Sequence, residues 1–415
     1  MSCNCFIIYI PLRNLLSPHF VPGNLFCQGG IFLILNGIDR PERWLGLLSG
    51  QRVGLLTSAA GLNAQLQRNL DALMSAGVRV TTLFGPEHGI RGDAAAGNDV
   101  AAGTDPRTNL PVFSLYRKES KRFTENMLRD VDVVVYDMAD VGARFYTYIT
   151  TLLYTVEDCG RTHVPLVVLD RVNPLGGAVI EGCALAADCH SFIGDYDLPI
   201  RYGLTAGEFA MMVNAERRCG CDLTVVPVAG WRRHQLHCDT GLPWIPPSPA
   251  LQHFENALLY PGTCLLEGVN VSEGRGTADP FLLIGAPYID GERLAEHMNS
   301  LSLPGVAFIP AHFTPAERKY AGVACSGVKI LLTDAHACFS VTVGVRLLDA
   351  IRSLWPSDFA FLPPGQEFDR PALDLLSGND RLRRGQSAHE WLGEAQADCA
   401  AFAKRCLPYH LNGGD

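Results

Sequence analysis

Short, nearly continuous apolar runs that alternate with amphipathic stretches constrain the fold of this chain more than any other feature. The predicted strands span residues 52–57, 78–84, 131–137, 164–170 and 222–228. The predicted helices between them span residues 66–77, 146–160 and 205–220. Strands that are apolar along their whole length are buried on both faces, and their alternation with helices is typical of parallel sheets. The sequence therefore predicts an α/β fold with a parallel sheet covered by helices on both faces.

A proline-rich segment, PWIPPSP at 243–249, ends this regular alternation. Little periodicity is visible from Leu251 to Pro287, and further strand-like and helical segments follow, ending in a long helix predicted at 387–405. The predicted parts are an N-terminal extension of uncertain status at 1–36, a larger α/β domain at 37–284 and a smaller α+β domain at 285–415.

The composition excludes several classes of partner. The 415 residues carry a net charge of −9, which argues against nucleic acid as a ligand. No apolar run approaches the ~18 residues that a membrane-spanning helix needs. The N-terminal extension contains two apolar patches, CFIIYIPL and GIFLIL, but lacks the order of a secretory signal. The sequence thus leaves the compartment, cytoplasmic or beyond the membrane, undecided.

The 14 cysteines do not form a recognisable metal or redox motif. No pair has C-x-x-C spacing, so zinc-ribbon and thioredoxin-like sites are disfavoured, and most of the thiols are expected to be small buried hydrophobes. His234, His237 and Cys238 are close enough in sequence to ligate a metal together, but a polar loop before Pro243 explains them more simply. We therefore predict no metal and no cofactor.

Polar side chains follow several predicted strands at the point where each strand ends. They are Glu87, His88 and Arg91 after the second strand, Asp140 and Arg144 after the third, and Asn173 with Glu181 after the fourth. Because the carboxyl ends of parallel strands lie at one edge of a sheet, and ligands bind at that edge, these groups are candidates for one site.

The residue types narrow the chemistry of this site. The chain lacks a G-x-G-x-x-G fingerprint after the first strand, a Walker loop, a G-x-S-x-G elbow and an H-E-x-x-H motif. The carboxylates, arginines and tyrosines that remain suit cleavage of a glycosidic bond. In that reaction one carboxylic acid protonates the leaving oxygen and a second group supports the cationic sugar carbon.

Several long motifs occur in an order that resembles a known enzyme family. They are FGPEHGIRG, DVGARFYTY, LDRVNPLGG, WIPPSPAL, YPGTCLLEGVNVSEGRGTADPF and GAPY. From about Gly37 to the C-terminus the chain is similar to the exo-acting β-N-acetylmuramidases of peptidoglycan turnover (NamZ-type). The resemblance implies a Rossmann-like catalytic domain, a smaller C-terminal domain and a cleft between them. It also implies release of N-acetylmuramic acid from non-reducing ends of peptidoglycan-derived glycan fragments, outside the cytoplasm in many members.

The resemblance points to Glu87 as the leading catalytic carboxylate. Glu181, which follows the apolar AVI, is the second candidate acid or base, and Asp140 competes with it for that role. The lactyl carboxylate of N-acetylmuramic acid calls for a planar, bidentate donor, for which Arg91, Arg144 and Arg275 are the candidates. The remaining candidate sugar contacts are His88, Tyr146, Tyr148, Asn173, Asn270 and Glu273.

Two other functions stay open at this point: an exo-β-N-acetylglucosaminidase, and a non-catalytic protein that binds muropeptides or sugars between two α/β lobes. The family pattern leads us to expect asparagine at Ala250, so the substrate contacts of this chain depart from it there. A retaining, an inverting and a substrate-assisted mechanism all fit the residues, and the oligomeric state is not fixed by the sequence.

Overall fold

The predicted parallel strands assemble into one seven-stranded sheet in the computed structural model, which describes residues 33–87, 89–91, 103–365 and 368–411. Its strands are β1 (Arg52–Thr57), β2 (Arg79–Gly85), β3 (Gly103–Thr104), β4 (Pro111–Ser114), β5 (Val133–Asp137), β6 (Leu166–Leu169) and β7 (Leu223–Val226). Their order is β3-β4-β2-β1-β5-β6-β7, and all neighbouring pairs are parallel except β3 with β4. The predicted fold class is confirmed.

Helices cover both faces of this sheet, as the apolar strands require. The helices of this half are α1 (Pro41–Leu48), α2 (Asn69–Ser75), α3 (Glu125–Leu128), α4 (Tyr148–Thr162) and α5 (Ala206–Glu216). Alternate residues of β5 enter different cores: Val133 and Val135 pack with α1 and α2, whereas Val134 and Tyr136 pack with α4 and α5. The capping box that opens α5 is formed by Thr205 and Glu208.

Strand β1 lies between β2 and β5, so successive strands are added first on one side of β1 and then on the other. Ligands of open α/β sheets commonly bind at such a reversal. In this protein a buried ion pair occupies part of that position. Arg171 Nε donates to Asp137 Oδ1 at 2.6 Å, and Asn69 Nδ2 donates to Asp137 Oδ2 at 2.9 Å. The larger cavities lie instead beyond the end of β2.

Several elements, among them α1, α3, β3, β4 and α6 (Phe254–Thr263), were not predicted from the sequence pattern. Strands β3 and β4 have two and four residues, too few for a periodic signal. Helix α6 lies in the stretch without periodicity and contains Pro261. Nearly all of its residues are buried, so it shows no polar face to reveal a helix.

A smaller antiparallel sheet forms the C-terminal part, in the order β8-β10-β9. Its strands are β8 (Leu283–Ala286), β9 (Val306–Phe313) and β10 (Cys325–Leu332), and its helices are α7 (Gly291–Ser300), α8 (Ser340–Leu354), α9 (Ala372–Ser377) and α10 (Ala388–Cys406). The domain boundary predicted near residue 285 falls within edge strand β8.

Two glycines allow helices α6 and α8 to approach closely. A Cβ atom on Gly344 would lie 2.0 Å from the carbonyl oxygen of Gly262, and a Cβ on Gly262 would lie 1.7 Å from that of Ser340. A larger residue at either position would force one helix to move. The two glycines therefore allow α8 to pack directly against α6.

The N-terminal extension lies largely outside the described residues, which begin at Leu33. The last residues of the predicted extension are described: Leu35 pairs with Ala229 in an antiparallel bridge, and Asn36 Oδ1 accepts the Val172 amide hydrogen at 3.1 Å. Within the ranges given above, no helix combines the length and apolar character needed to cross a membrane.

Candidate active site

Two adjoining cavities, of 540 and 520 Å³, open where the end of β2 faces the C-terminal part of the chain. Five of the residues that line the larger cavity carry the chemistry discussed below: Glu87, Tyr146, Thr147, Glu267 and Arg275. The smaller one shares Glu87, Thr147, Glu267 and Arg275 and adds Glu273 and Lys319. Their volumes lie within the range of about 300–1,000 Å³ that is typical of small-molecule sites.

Glu87 reaches these cavities from the turn that follows β2. Its side chain is nine-tenths buried, with 9% of its surface exposed. Thr147, directly before α4, donates its hydroxyl hydrogen to Glu87 Oε2 at 2.7 Å. The one hydroxyl hydrogen of Tyr148 is shared between the main-chain carbonyl oxygens of Glu87 and Pro247, which lie 3.4 and 3.3 Å from the hydroxyl oxygen. The carboxylate is therefore held from its side chain and from its backbone.

A cluster of two acids and two cations also lines the cavities. Arg275 Nε donates to Glu267 Oε1 at 2.9 Å and lies 3.7 Å from Glu273 Oε1. Lys319 Nζ lies 2.8 Å from Glu273 Oε2 and donates to the carbonyl oxygens of Leu266 and Val269 at 2.7 and 3.0 Å. Lys319 therefore makes two hydrogen bonds to the backbone and one ion pair with Glu273.

Charge balance in this cluster keeps Glu267 ionised. Burial alone would raise the pKa of Glu267, but the positive charges of Arg275 and Lys319 outweigh it and lower that pKa. Burial acts to lower the pKa of Arg275, but the charge of Glu267, with a smaller contribution from Glu273, holds it above its ordinary value. The cluster thus presents a fixed anion and a fixed guanidinium to the cavity.

The two predicted tyrosines differ in their access to the cavity. Tyr146 lines the larger cavity, where its ring packs edge-on against Tyr148 and Tyr260. Tyr148 is 1% exposed, and its hydroxyl group contacts the backbone carbonyl oxygen of Glu87. Burial raises the pKa of both phenols, so both hydroxyl groups stay protonated near neutral pH.

Glu181 lies outside both cavities. Its Oε2 is 3.4 Å from Arg201 Nη1, its Oε1 accepts the Thr342 amide hydrogen at 3.3 Å, and its backbone pairs with that of Arg201. Burial raises the pKa of Glu181, and both members of the pair are nearly inaccessible. The structure therefore does not bring Glu181 to Glu87.

Arg144 is likewise buried away from the cavities, at 1% exposure. Its guanidinium donates to three main-chain carbonyl oxygens, those of Cys183 at 2.8 Å, Leu198 at 2.6 Å and Leu376 at 2.8 Å. Leu376 belongs to α9, so Arg144 joins the parallel-sheet half to the C-terminal part. These contacts are structural.

Asp140 lines a separate small cavity of 80 Å³ at the carboxyl ends of β1, β5 and β6. Its Oδ2 accepts the Gly142 amide hydrogen at 2.8 Å and the Tyr202 hydroxyl hydrogen. Burial raises the pKa of Asp140 to about 6. Asn173 shapes the neighbouring turn, donating to the Leu204 carbonyl oxygen at 2.9 Å. Neither residue lines the cavities that contain Glu87.

The remaining predicted contacts are dispersed. Arg91 is half exposed and pairs with Asp105 Oδ1 at 3.1 Å. Asn270 donates to the Asp358 carbonyl oxygen at 2.7 Å and accepts the Ala360 amide hydrogen at 2.8 Å, so it ties two loops together. His88 lies outside the described residues. Of the predicted set, the structure brings Glu87, Tyr146, Glu273 and Arg275 to the two cavities.

Sequence reasoning did not single out Thr147, Glu267 or Lys319 as site residues. Thr147 stands within the ARFYTY motif and Glu267 within LLEG, so both lay inside motifs that carried the resemblance. Lys319 comes from the loop between β9 and β10, where no sequence signal pointed to the cavity. The departure at Ala250 does concern the site, because this residue lines the larger cavity.

Both parts of the chain match known protein families. The family model for the N-terminal part of exo-β-N-acetylmuramidase NamZ matches residues 53–255, and the model for its C-terminal part matches residues 258–411. A peptidoglycan β-N-acetylmuramidase NamZ of Bacillus subtilis (strain 168) is 45% identical over 367 residues, which cover 87% of each chain.

Solved structures show the same fold. A DUF1343 family protein from Bacteroides fragilis NCTC 9343 matches with a TM-score of 0.84 and 34% identity, over 92% of this chain and all of that one. A second DUF1343 family protein from that organism matches with a TM-score of 0.72 and 28% identity, over 92% of this chain and 99% of that one. Together with the matches to both family models, these likenesses establish that the chain belongs to the exo-β-N-acetylmuramidase (NamZ) family of glycosidases.

Proposed function

We propose that this protein releases N-acetylmuramic acid from the non-reducing ends of peptidoglycan fragments, with Glu87 as the acid–base carboxylate in the cleft between the two parts of the chain. The observation that carries the proposal is the position of Glu87. Its carboxylate is nine-tenths buried, held by Thr147, and placed at the wall of a cavity large enough for a sugar. The relative from Bacillus subtilis is named for the same reaction.

The geometry gives Glu87 a defined orientation toward the cavity. A general acid must present its proton to the glycosidic oxygen from a fixed direction, since a small misplacement of a catalytic group costs rate. Thr147 supplies this restraint by donating to Oε2. As the bond to the sugar carbon breaks, Glu87 gives its proton to the leaving oxygen, and in the return step it takes a proton from water.

Glu267 is our proposed second carboxylate. It lines both cavities with Glu87, and its lowered pKa keeps it anionic while positive charge develops at the sugar carbon. Glu267 could stabilise this charge electrostatically or polarise the substrate's own acetamido group. Glu181 and Asp140, which the sequence offered for the second role, lie outside these cavities.

Arg275 is our proposed anchor for the lactyl carboxylate. Lys319 donates to two carbonyl oxygens and forms an ion pair with Glu273, whereas Arg275 carries five N–H donors and engages Glu267 through Nε. A planar guanidinium can hold two carboxylates at once, which an ammonium does less well. The lactyl group distinguishes N-acetylmuramic acid from N-acetylglucosamine, so this contact would set the sugar preference.

Two chromogenic substrates that differ only in the lactyl group test the sugar assignment. We expect the purified protein to hydrolyse the β-N-acetylmuraminide much faster than the β-N-acetylglucosaminide, and NMR of the first-formed product to show one anomer of N-acetylmuramic acid. A preference for the second substrate would favour an exo-β-N-acetylglucosaminidase. Binding of the sugar without any product would favour a non-catalytic sugar-binding protein.

A further inference from the structure

Three side chains with metal-binding atoms meet on the surface, away from the cavities that contain Glu87. Cys238 and Asp239 come from the 3-10 helix His237–Asp239, and His336 comes from the loop between β10 and α8. Asp239 Oδ1 lies 3.1 Å from His336 Nε2 and 4.0 Å from Cys238 Sγ. The three potential ligand atoms all lie within 4.8 Å of one another.

We propose that Cys238, Asp239 and His336 form a zinc site. Thiolate, imidazole and carboxylate are the three ligand types that zinc takes in proteins, at about 2.3, 2.0–2.1 and 2.0–2.2 Å. In a tetrahedron these bond lengths put ligand atoms roughly 3.3–3.6 Å apart. The observed separations, at most 4.8 Å, need changes of about 1.5 Å or less, and water would take the fourth position. A thiolate ligand disfavours calcium and magnesium, which prefer oxygen.

Two of the ligands are already fixed by their neighbours. Asp239 Oδ2 accepts the Leu236 amide hydrogen at 2.7 Å, which leaves Oδ1 turned toward His336. The His336 amide hydrogen bonds to Asp334 Oδ1 at 2.9 Å and holds the loop that carries the imidazole. Such outer hydrogen bonds orient the ligands of known metal sites.

The structure selects a different histidine from the one that the sequence offered. The ring of His237 packs at 5.0 Å from the ring of Trp244, is half-buried, and is not among the groups whose ligand atoms meet here. His336, which is 97 residues from Asp239 in the sequence, takes its place. Cys238 is the exposed member of the 11 free cysteines that the described ranges contain, so its thiol is accessible to a metal ion.

A metal held here would join two distant segments of the chain. One segment precedes the proline-rich stretch whose Ser248 lines the larger cavity, and the other connects β10 to α8. The unfolded chain does not hold these ligands together, so zinc would bind the folded state preferentially and raise its thermal stability.

Cobalt titration tests the site directly, because Co²⁺ reports thiolate ligation and tetrahedral geometry by its absorption. The full chain is first treated with a chelator, desalted and kept under a reductant that contains no thiol. We expect one Co²⁺ per chain, a near-ultraviolet thiolate charge-transfer band and visible bands, all displaced by Zn²⁺. Cys238→Ser should abolish the charge-transfer band, and His336→Ala should weaken binding at least tenfold.

The matched controls are Cys219→Ser and His389→Ala, which should bind Co²⁺ as the parent protein does. Added Zn²⁺ should raise Tm in the parent and in both controls but not in Cys238→Ser, with circular dichroism used to verify that each variant is folded. Absence of the charge-transfer band in the parent, or its full retention in Cys238→Ser, would overturn the proposal. His336→Ala gives an independent decision if Cys238→Ser does not fold.

Discussion

Thr147 Oγ1 donates a hydrogen bond of 2.7 Å to Glu87 Oε2, and this contact joins the turn after β2 to the start of α4. The two residues are 60 positions apart in the sequence, and both are buried. Of these two residues, the pattern of polar side chains after predicted strands singled out Glu87 alone. The contact explains how a carboxylate on a short turn can hold one direction within a cavity of 540 Å³.

Replacing Thr147 with valine, which has nearly the same shape, should lower kcat on the chromogenic β-N-acetylmuraminide about tenfold to a hundredfold, with KM changed less than threefold. The reason is that Glu87 keeps its place but loses the donor that orients it. Thr147→Ser restores the hydroxyl group and should recover most of kcat. Equal losses in the valine and serine variants would show that Thr147 acts through packing instead.

Replacing Arg275 with lysine should reduce the preference for the muraminide. A hydrogen bond to a charged group contributes about 1.5–3 kcal/mol, so kcat/KM for the β-N-acetylmuraminide should fall roughly tenfold to a hundredfold. The value for the β-N-acetylglucosaminide, which lacks the lactyl carboxylate, should change far less. Arg293→Lys, on the exposed side of α7, is the matched control. An unchanged ratio of the two substrates would remove Arg275 from lactyl recognition.

Asp140 should make stability fall as the pH rises. Burial raises the pKa of Asp140 from 3.8 to about 6, so between these values the folded state keeps a proton that the unfolded state has lost. The free energy of unfolding therefore decreases from about pH 4 to about pH 6 and then levels off, by about 1–3 kcal/mol for this group.

Asp140→Asn should remove that slope, since an amide oxygen can accept from Gly142 and Tyr202 without carrying a charge. Urea unfolding at pH 4 and pH 7 measures this change in the free energy of unfolding. Relative to the parent, the variant should be more stable at pH 7 than at pH 4. Because Asp140 lies outside the cavities of Glu87, the variant should keep its hydrolytic rate within a few-fold. Loss of turnover in a folded Asp140→Asn protein would return Asp140 to the catalytic candidates.

Gly344→Ala should destabilise the protein by about 1–3 kcal/mol or more, because its new methyl group would overlap the Gly262 carbonyl oxygen and push α8 from α6. Gly393→Ala is the control. It lies on the exposed side of α10 with nothing within 4 Å of the added Cβ, and alanine is the better helix former there by up to about 1 kcal/mol. In thermal unfolding, Gly344→Ala should lower Tm and Gly393→Ala should raise it. An unchanged Tm in Gly344→Ala would contradict the close contact between α6 and α8.

The fold class was predictable because its signal is local. Runs such as RVGLLT and VDVVVYD are apolar throughout, and only strands buried on both faces require that. The resemblance to the muramidase family and the glycosidase class were also confirmed, since long motifs survive as contiguous stretches. Helix α6 was missed because burial on all sides leaves no polar face in the sequence.

The site was predictable only in part, because partners distant in sequence decide what a strand-end residue does. Glu181 and Arg144 follow strands as Glu87 does, yet Glu181 meets Arg201 and Arg144 meets three carbonyl oxygens. Neither partnership is visible in a strand pattern. Glu267 is the converse case: it follows two leucines in a 3-10 helix, and only the fold brings it to the cavity of Glu87.

The most direct test of the proposed function is the initial rate of hydrolysis of the chromogenic β-N-acetylmuraminide by the parent protein and by Glu87→Gln. Glutamine preserves the size of the side chain but cannot donate a carboxylic proton, so the rate should fall by at least about 100-fold while circular dichroism and Tm stay near those of the parent. Glu292→Gln, on the exposed side of α7, should leave the rate unchanged. Near-parental turnover by Glu87→Gln would contradict the account.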